Sequence, residues 1–184
     1  MTAAQADLQA QFLEMPDGLR IDRPEVADGA VIWRIAKDSK ALDLNSSYSY
    51  LLWCRDFAGT SVVARGADGR PVGFITGYIR PSRPETLVVW QVAVDAAHRG
   101  RGLAAALLDG LTAQVAAGQA AAESALTSVE TTIAPGNTAS ERLFTSYAER
   151  HGAPVEREVL FGAGAFPDGP HDPEVLYRIG PFGH

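Results

Sequence analysis

The chain has 184 residues, a formal net charge of −6, 46% hydrophobic and 21% charged residues, and a single cysteine, Cys54. That length and composition suit one globular domain. They exclude an intramolecular disulfide and make nucleic acid a poor partner, since no basic block offsets the acidic balance.

Residues 1–18 are rich in Ala and Gln and have weak patterning, so they are expected to form a flexible tail ahead of one domain over 19–184. The start pairs no basic segment with an apolar run, and no stretch has the uninterrupted apolar length of a membrane span. A cytoplasmic protein is the expectation.

Leu19 to Asp22 alternates and reads as a short strand, ended by Arg23-Pro24. Asp28 is placed to cap a helix reaching Ser39, with Val31, Ile32 and Ile35 inward. Asp43 to Ser47 is a polar turn. Asn45 or Ser46 caps a second helix, Tyr48 to Phe57, whose aromatics fit core packing as well as substrate contact. Thr60–Arg65 and Pro71–Arg80 form a hairpin through Asp68-Gly69. Gly73 and Gly77 in its second strand predict bulges or a close backbone approach.

Leu87 to Val94 is an apolar run broken only by Gln91, which reads as a strand buried on both faces. A short turn follows, His98-Arg99-Gly100-Arg101-Gly102. Then Leu103, Leu107, Leu108, Leu111 and Val115 recur at helical spacing. Strand, glycine turn and helix form an anion grip. First-turn N–H groups lack intrahelical partners, the helix end is positive, and glycine lets the backbone come close. The turn has no G-x-x-x-x-G-K-[ST] and no G-x-G-x-x-G. It does carry Arg-x-x-Gly-x-Ala at Arg99, Gly102 and Ala104.

Residues 116–124 read as a low-complexity linker, and Leu126 to Ile133 as a strand. Asn137 or Thr138 caps a helix to about Arg150, and strands follow at Val155–Phe161 and Val175–Ile179. The element order implies an α/β fold, a mixed, mostly antiparallel sheet flanked by helices, with one helix-linked parallel pair.

The Arg-x-x-Gly-x-Ala turn after its strand resembles the acetyl-CoA signature of the GCN5-related N-acetyltransferases, and the element order is that of the same fold. A closer resemblance rests on several blocks: 43–52 (DLNSSYSYLL), 73–78 (GFITGY), 90–94 (WQVAV), 130–140 (ETTIAPGNTAS), 171–174 (HDPE) and 177–180 (YRIG). Together they are similar to the L-2,4-diaminobutyrate acetyltransferases of ectoine biosynthesis. The resemblance implies acetyl transfer from acetyl-CoA to the 4-amino group of diaminobutyrate, in the cytoplasm, by a homodimer. It involves a small-molecule diamine, no nucleic acid and no membrane, and no metal is expected. Another small amine or a peptide as acceptor, and a catalytically silent acetyl-CoA-binding module, are the competing readings.

Under that resemblance the backbone of Arg99, Gly100, Arg101, Gly102, Leu103 and Ala104 holds the pyrophosphate. The edge at Val92, Ala93 and Val94 pairs with the pantetheine amides. Asn137 lies near the thiol end, unless it is only a helix cap. Diaminobutyrate carries two ammonium groups, so acidic partners are needed. Asp43 is the first candidate. Trp90 is a pocket wall or a cation–π surface, and Arg80 or Arg83 is a carboxylate partner. An amine with a pKa of about 10 must lose a proton before it attacks. Glu130, a lone acid in an uncharged strand, is the expected base, with Glu174 in reserve. Where many relatives in the superfamily carry a Leu-Tyr pair, this chain has Leu143-Phe144, so the general acid stays open among Tyr48, Tyr50 and Tyr147. Cys54, with no nearby histidine in sequence, is read as a small buried hydrophobe.

Overall fold

The computed structural model describes residues 13–14, 18–40, 42–167 and 169–182. The tail expected at 1–18 therefore lies largely outside the described residues. Its one described element, strand β1 (Leu13–Glu14), pairs antiparallel with β2 (Arg20–Asp22). The remaining elements are α1 (Gly29–Ser39), α2 (Ser47–Asp56), β3 (Val62–Arg65), β4 (Pro71–Ile79), β5 (Thr86–Val94), α3 (Leu103–Ala121), β6 (Ser128–Ile133), α4 (Thr138–Arg150), β7 (Val155–Phe161) and β8 (Glu174–Ile179). From β2 onward this is the order expected from the sequence.

The strands form one sheet in the order β1-β2-β3-β4-β5-β6-β8-β7, and only the β5–β6 contact is parallel. Two apolar layers cover it. On one face α3 and α4 bury Leu107, Leu108, Leu111 and Phe144 against Leu87, Val129 and Ile179. On the other, Ile32, Ile35 and Tyr50 of α1 and α2 pack on Phe74 and Ala93.

Three local expectations change. The stretch 116–124, expected as a linker, is helical to Ala121, because Ala and Gln propagate a helix well and exposed Gly118 costs only about 1 kcal/mol. Asp28 makes no side-chain cap on α1. Its carboxylate instead takes both terminal nitrogens of buried Arg65, at 2.8 and 2.7 Å, while Arg65 Nε donates to Asp22 at 2.8 Å. That ion cluster ties β2 and β3 to the start of α1.

The third change is in β5. Thr76 pairs with Gln91 but Gly77 pairs with Val89, so Trp90 is an extra residue in the ladder. Such a bulge re-aims side chains. Leu87 and Val89 face α3, yet Trp90 and Gln91 both face α2. The strand is consequently not buried on both faces. Trp90 is 52% exposed, and Gln91, the polar exception in the sequence, is buried. The two glycines of β4 do mark close approaches. A Cβ on Gly77 would lie 2.7 Å from the Val88 carbonyl, and one on Gly73 would lie 3.2 Å from Leu107.

Candidate functional site

The parallel ladder between β5 and β6 is three pairs long, Thr86–Ser128 to Val88–Glu130. Beyond it β6 continues against β8, while β5 from Gln91 to Val94 continues against β4. Among the described residues, the other edge of β5 at 91–94 carries no strand. The splay leaves a wedge whose two sides are built differently.

The first side is a groove of about 460 Å³ between the N-terminus of α3 and one face of α4. Gly100 and Gly102 have φ of +74° and +75°, the left-handed region where glycine is at ease. No atom lies within 4 Å of where a Cβ on either would stand. Both positions line the groove, so a side chain there would project into open space that an anion can fill. Gly102 caps α3 with no side-chain bond, and the ladder of α3 begins only with Ala106 N–H to the Gly102 carbonyl. The N–H groups of the first turn of α3 precede that ladder and have no intrahelical partner, which is what an anion needs.

Of the residues expected to hold acetyl-CoA, Val94, Arg99, Gly100, Gly102, Leu103 and Ala104 line this groove. Val92, Ala93, Arg101 and Asn137 do not. Val92 packs on the α3 core and the side chain of Ala93 is buried under α1, so these two offer a ligand only their backbone. Arg99 Nε donates to the Val94 carbonyl at 3.0 Å, which folds the turn back on the strand end. Asn137 caps α4, its Oδ1 accepting from Ser140 N–H at 3.1 Å. The sequence reading missed the other wall, Ala139, Arg142, Ser146 and Arg150 of α4. Their spacing of three, four and four residues places small and basic side chains on one stripe, a signal that was present.

The other side is the face of β5 under α2. Trp90 lies 6.4 Å from Trp53 between ring centroids, at 25°, and Trp53 also leans on Tyr78 and Phe57. Gln91 Nε2 donates to the Asp43 carbonyl at 2.9 Å, which docks the 42–46 loop beside Trp90. The Asp43 side chain itself is 95% exposed. Its Oδ2 stands 3.7 Å from His171 Nε2, and ligand atoms of Asp43, His171 and Glu174 all lie within 4.8 Å of one another. Two carboxylates on one exposed patch can attract a cation such as an ammonium. The structure thus brings Asp43 and Glu174 together. His171 was not singled out as a candidate, because it sits in a Gly- and Pro-rich loop with no periodicity.

His171 is held as a flat stack on Phe166, ring centroids 3.7 Å apart, with Nδ1 donating to the Asp172 carbonyl. That bond does most to push its pKa up, and Asp43 and Glu174 add to it while desolvation opposes. Donation from Nδ1 leaves Nε2 facing a carboxylate, an arrangement that suits the imidazolium.

Glu130 sits apart from that group. It is 3% exposed, with Arg80 donating to Oε2 at 2.7 Å and Arg178 Nε to Oε1 at 2.8 Å. Arg178 is shared with Glu156 and Glu158 on β7. Both carboxylate oxygens of the expected base are therefore held by guanidinium groups, and Arg80, expected for the substrate carboxylate, gives its Nη1 to Glu130. Tyr147 is buried against His151 and Phe182 rather than in the groove. Burial, with a smaller push from Asp28, raises the Cys54 thiol to about 12, so it stays protonated and is no nucleophile.

Residues 30–148 match the profile of the acetyltransferase (GNAT) family. An L-2,4-diaminobutyric acid acetyltransferase of Streptomyces avermitilis is 77% identical over 184 residues, the full length of both chains. That of Streptomyces anulatus is 68% identical over 99% of each. A solved diaminobutyrate acetyltransferase from Paenibacillus lautus, in complex with L-2,4-diaminobutyric acid and coenzyme A, superposes with a TM-score of 0.81 at 41% identity, covering 90% of this chain and 96% of that one. Ard1 of Thermoplasma volcanium, at 21% identity and a TM-score of 0.66, shares the fold.

Proposed function

The chain belongs to the acetyltransferase (GNAT) family, and within it to the L-2,4-diaminobutyrate acetyltransferases; on that footing we propose how its residues choose and activate the acceptor. The protein is an acyltransferase that moves the acetyl group of acetyl-CoA to L-2,4-diaminobutyrate. Acetyl-CoA supplies the activated thioester. Nitrogen bonds to its carbonyl carbon, the C–S bond breaks, and the proton lost by nitrogen ends, directly or through a relay, on the thiolate.

In this reading the pyrophosphate rests on the N–H groups from Arg99 to Ala104, with Arg142 across the groove. The pantetheine arm lies along β5 from Val92 to Val94, and Asn137 stands near the thiol end. Asp43 and Glu174 receive the ammonium groups, and Trp90 walls the pocket. Glu174 is the better placed base. It stands in the cation site, whereas Glu130 has both oxygens engaged and serves as the clamp that joins β6 to β4 and β8. The 4-amino group is the acceptor, because the 2-amino group and its carboxylate form the recognisable end. The product, 4-N-acetyl-L-2,4-diaminobutyrate, is the precursor that cyclises to ectoine, a compatible solute made under osmotic stress. The enzyme works in the cytoplasm as a homodimer. Val159, Leu160 and Phe161 stand exposed on edge strand β7, a surface that a second copy would cover.

The observation that carries the acceptor reading is the convergence of Asp43, His171 and Glu174, with the Asp43 backbone bonded to Gln91 of β5. Acetylation of diaminobutyrate is expected to exceed that of ornithine, lysine and an N-terminal peptide by at least about tenfold, since one methylene in a fitted pocket is worth ~10–200-fold. NMR of the product should place the acetyl group on the 4-nitrogen. Equal rates on the three free amino acids, or acetyl on the 2-nitrogen, would remove the reading. Light scattering should give twice 19.5 kDa, and a monomer mass would remove the dimer.

A further inference from the structure

Gln91 is 6% exposed in a strand that is otherwise apolar from Leu87 to Val94. A buried amide must be paired on both ends, or it loses stability. Its two bonds also fix which end is which. The Asp43 carbonyl can only accept, so the group 2.9 Å from it is the NH₂ of Gln91. The oxygen of Gln91 then faces the Tyr50 hydroxyl, which donates at 2.9 Å. Tyr50 is fully buried in α2, its ring edge-on to Phe74 at 6.2 Å, and burial raises its pKa, so the phenol keeps its proton. Helix, strand and loop are thereby joined in one line: Tyr50 to Gln91 to the backbone of Asp43.

This line meets the bulge at Trp90. Because the extra residue turns Trp90 and Gln91 to the same face, one distortion of β5 does two things. It presents the Trp90 ring as a wall. It also aims the Gln91 amide at the loop whose carboxylate stands in the cation site. The exposed Asp43 side chain has a single ion-pair partner among the described residues, His171 at 3.7 Å. The loop that carries it is tied to β5 through the Asp43 carbonyl and to Tyr50 through Asn45.

We propose that Gln91, oriented by Tyr50, is a positioning residue that fixes the separation of the Asp43 carboxylate from the Trp90 wall and so selects the length of the diamine. The proposal rests on Asp43 as an ammonium partner. Gln91 and Tyr50 are both buried, with their polar groups engaged by each other and by the loop at Asp43. Their loss should therefore alter which diamine fits, with the cofactor side unaffected.

Gln91→Glu keeps the shape and the acceptor for Tyr50 but sets an oxygen against the Asp43 carbonyl. It should raise KM for diaminobutyrate at least about fivefold. It should also shrink the kcat/KM preference for diaminobutyrate over ornithine, with KM for acetyl-CoA unchanged. Tyr50→Phe, which removes one hydroxyl, should move the same preference in the same direction by a smaller factor; it reads the proposal even if Gln91→Glu does not fold. Asp43→Asn, run alongside, separates the two layers. If Asp43→Asn leaves KM for diaminobutyrate unchanged, the ammonium reading fails and the proposal falls with it. If Asp43→Asn raises that KM while both other variants keep the wild-type preference, the positioning role alone is overturned. An equal rise of both substrates' KM in Gln91→Glu and Tyr50→Phe would also overturn it, since that is the mark of a merely loosened fold.

Discussion

The two sides of β5 are built from different materials. Toward β6 and α3 the groove offers backbone: two glycines at positive φ, a helix end with no side-chain cap, and a strand edge. The proposed acceptor site is made of side chains from separated segments, with Asp43 before α2, Trp90 and Gln91 on β5, and His171 and Glu174 ahead of and opening β8. A backbone site constrains φ and leaves most side-chain identities free. A side-chain site constrains identities and tolerates the backbone that carries them. The first suits a cofactor common to a whole family, and the second suits an acceptor that differs between its branches.

The sharpest way to break that contrast is at Gly102. A Cβ there meets no atom within 4 Å, but a valine must hold φ near +75°. An L-residue in that region costs roughly 1–2 kcal/mol. If the cofactor is read by backbone, Gly102→Val should weaken CoA binding in calorimetry by about 5–30-fold, whereas Arg101→Ala should weaken it only ~2–5-fold, as an exposed charge does. KM for diaminobutyrate should stay put in both. The opposite ranking would make the grip a side-chain one after all.

The acids of the acceptor side come next. Glu130 is clamped by Arg80 and Arg178, which are themselves partly exposed, so screening keeps the loss on Glu130→Gln to about 1–2 kcal/mol of stability. Its melting temperature should fall while log kcat/KM against pH keeps its shape. Glu174→Gln should do the reverse, with a nearly unchanged melt and a lost acid limb in the profile. Should the limb vanish in Glu130→Gln instead, one arginine must release its oxygen during turnover, and the base is Glu130.

The same contrast explains what the sequence alone made legible. Gly100, Gly102 and the leucine spacing of α3 are local, so the glycine turn and the helix that follows it were readable from the sequence. The strand and helix order followed from periodicity and turn chemistry. The bulge was not readable. Alternation predicts that Trp90 and Gln91 face opposite ways, and only the β4 register turns them together. Glu130 was rightly marked as an unusual charge, but its partners lie 50 and 48 residues away, at Arg80 and Arg178, where no spacing rule reaches. His171 lay in a loop where no period singles out a residue. The stripe of Ala139, Arg142, Ser146 and Arg150 on α4 was legible from its spacing and went unread.

The smallest expected effect tests whether His171 belongs to the acceptor side at all. Its pKa is raised, first by the bond from Nδ1 to the Asp172 carbonyl and then by Asp43 and Glu174. The imidazolium thus persists above the usual pH of about 6.5. While charged, it offsets part of the negative charge that the diamine needs. As pH rises through its pKa that positive charge is lost, the patch becomes more acidic, and KM for diaminobutyrate should fall. The site is open to solvent, so the change should be only about 2–5-fold between pH 6 and pH 8. His171→Gln is neutral throughout. Its KM should be lower than wild type at pH 6, and the gap should narrow as pH rises. Parallel curves for the two proteins would mean that His171 packs on Phe166 without sensing the diamine. The acceptor side would then rest on Asp43, Trp90 and Glu174 alone.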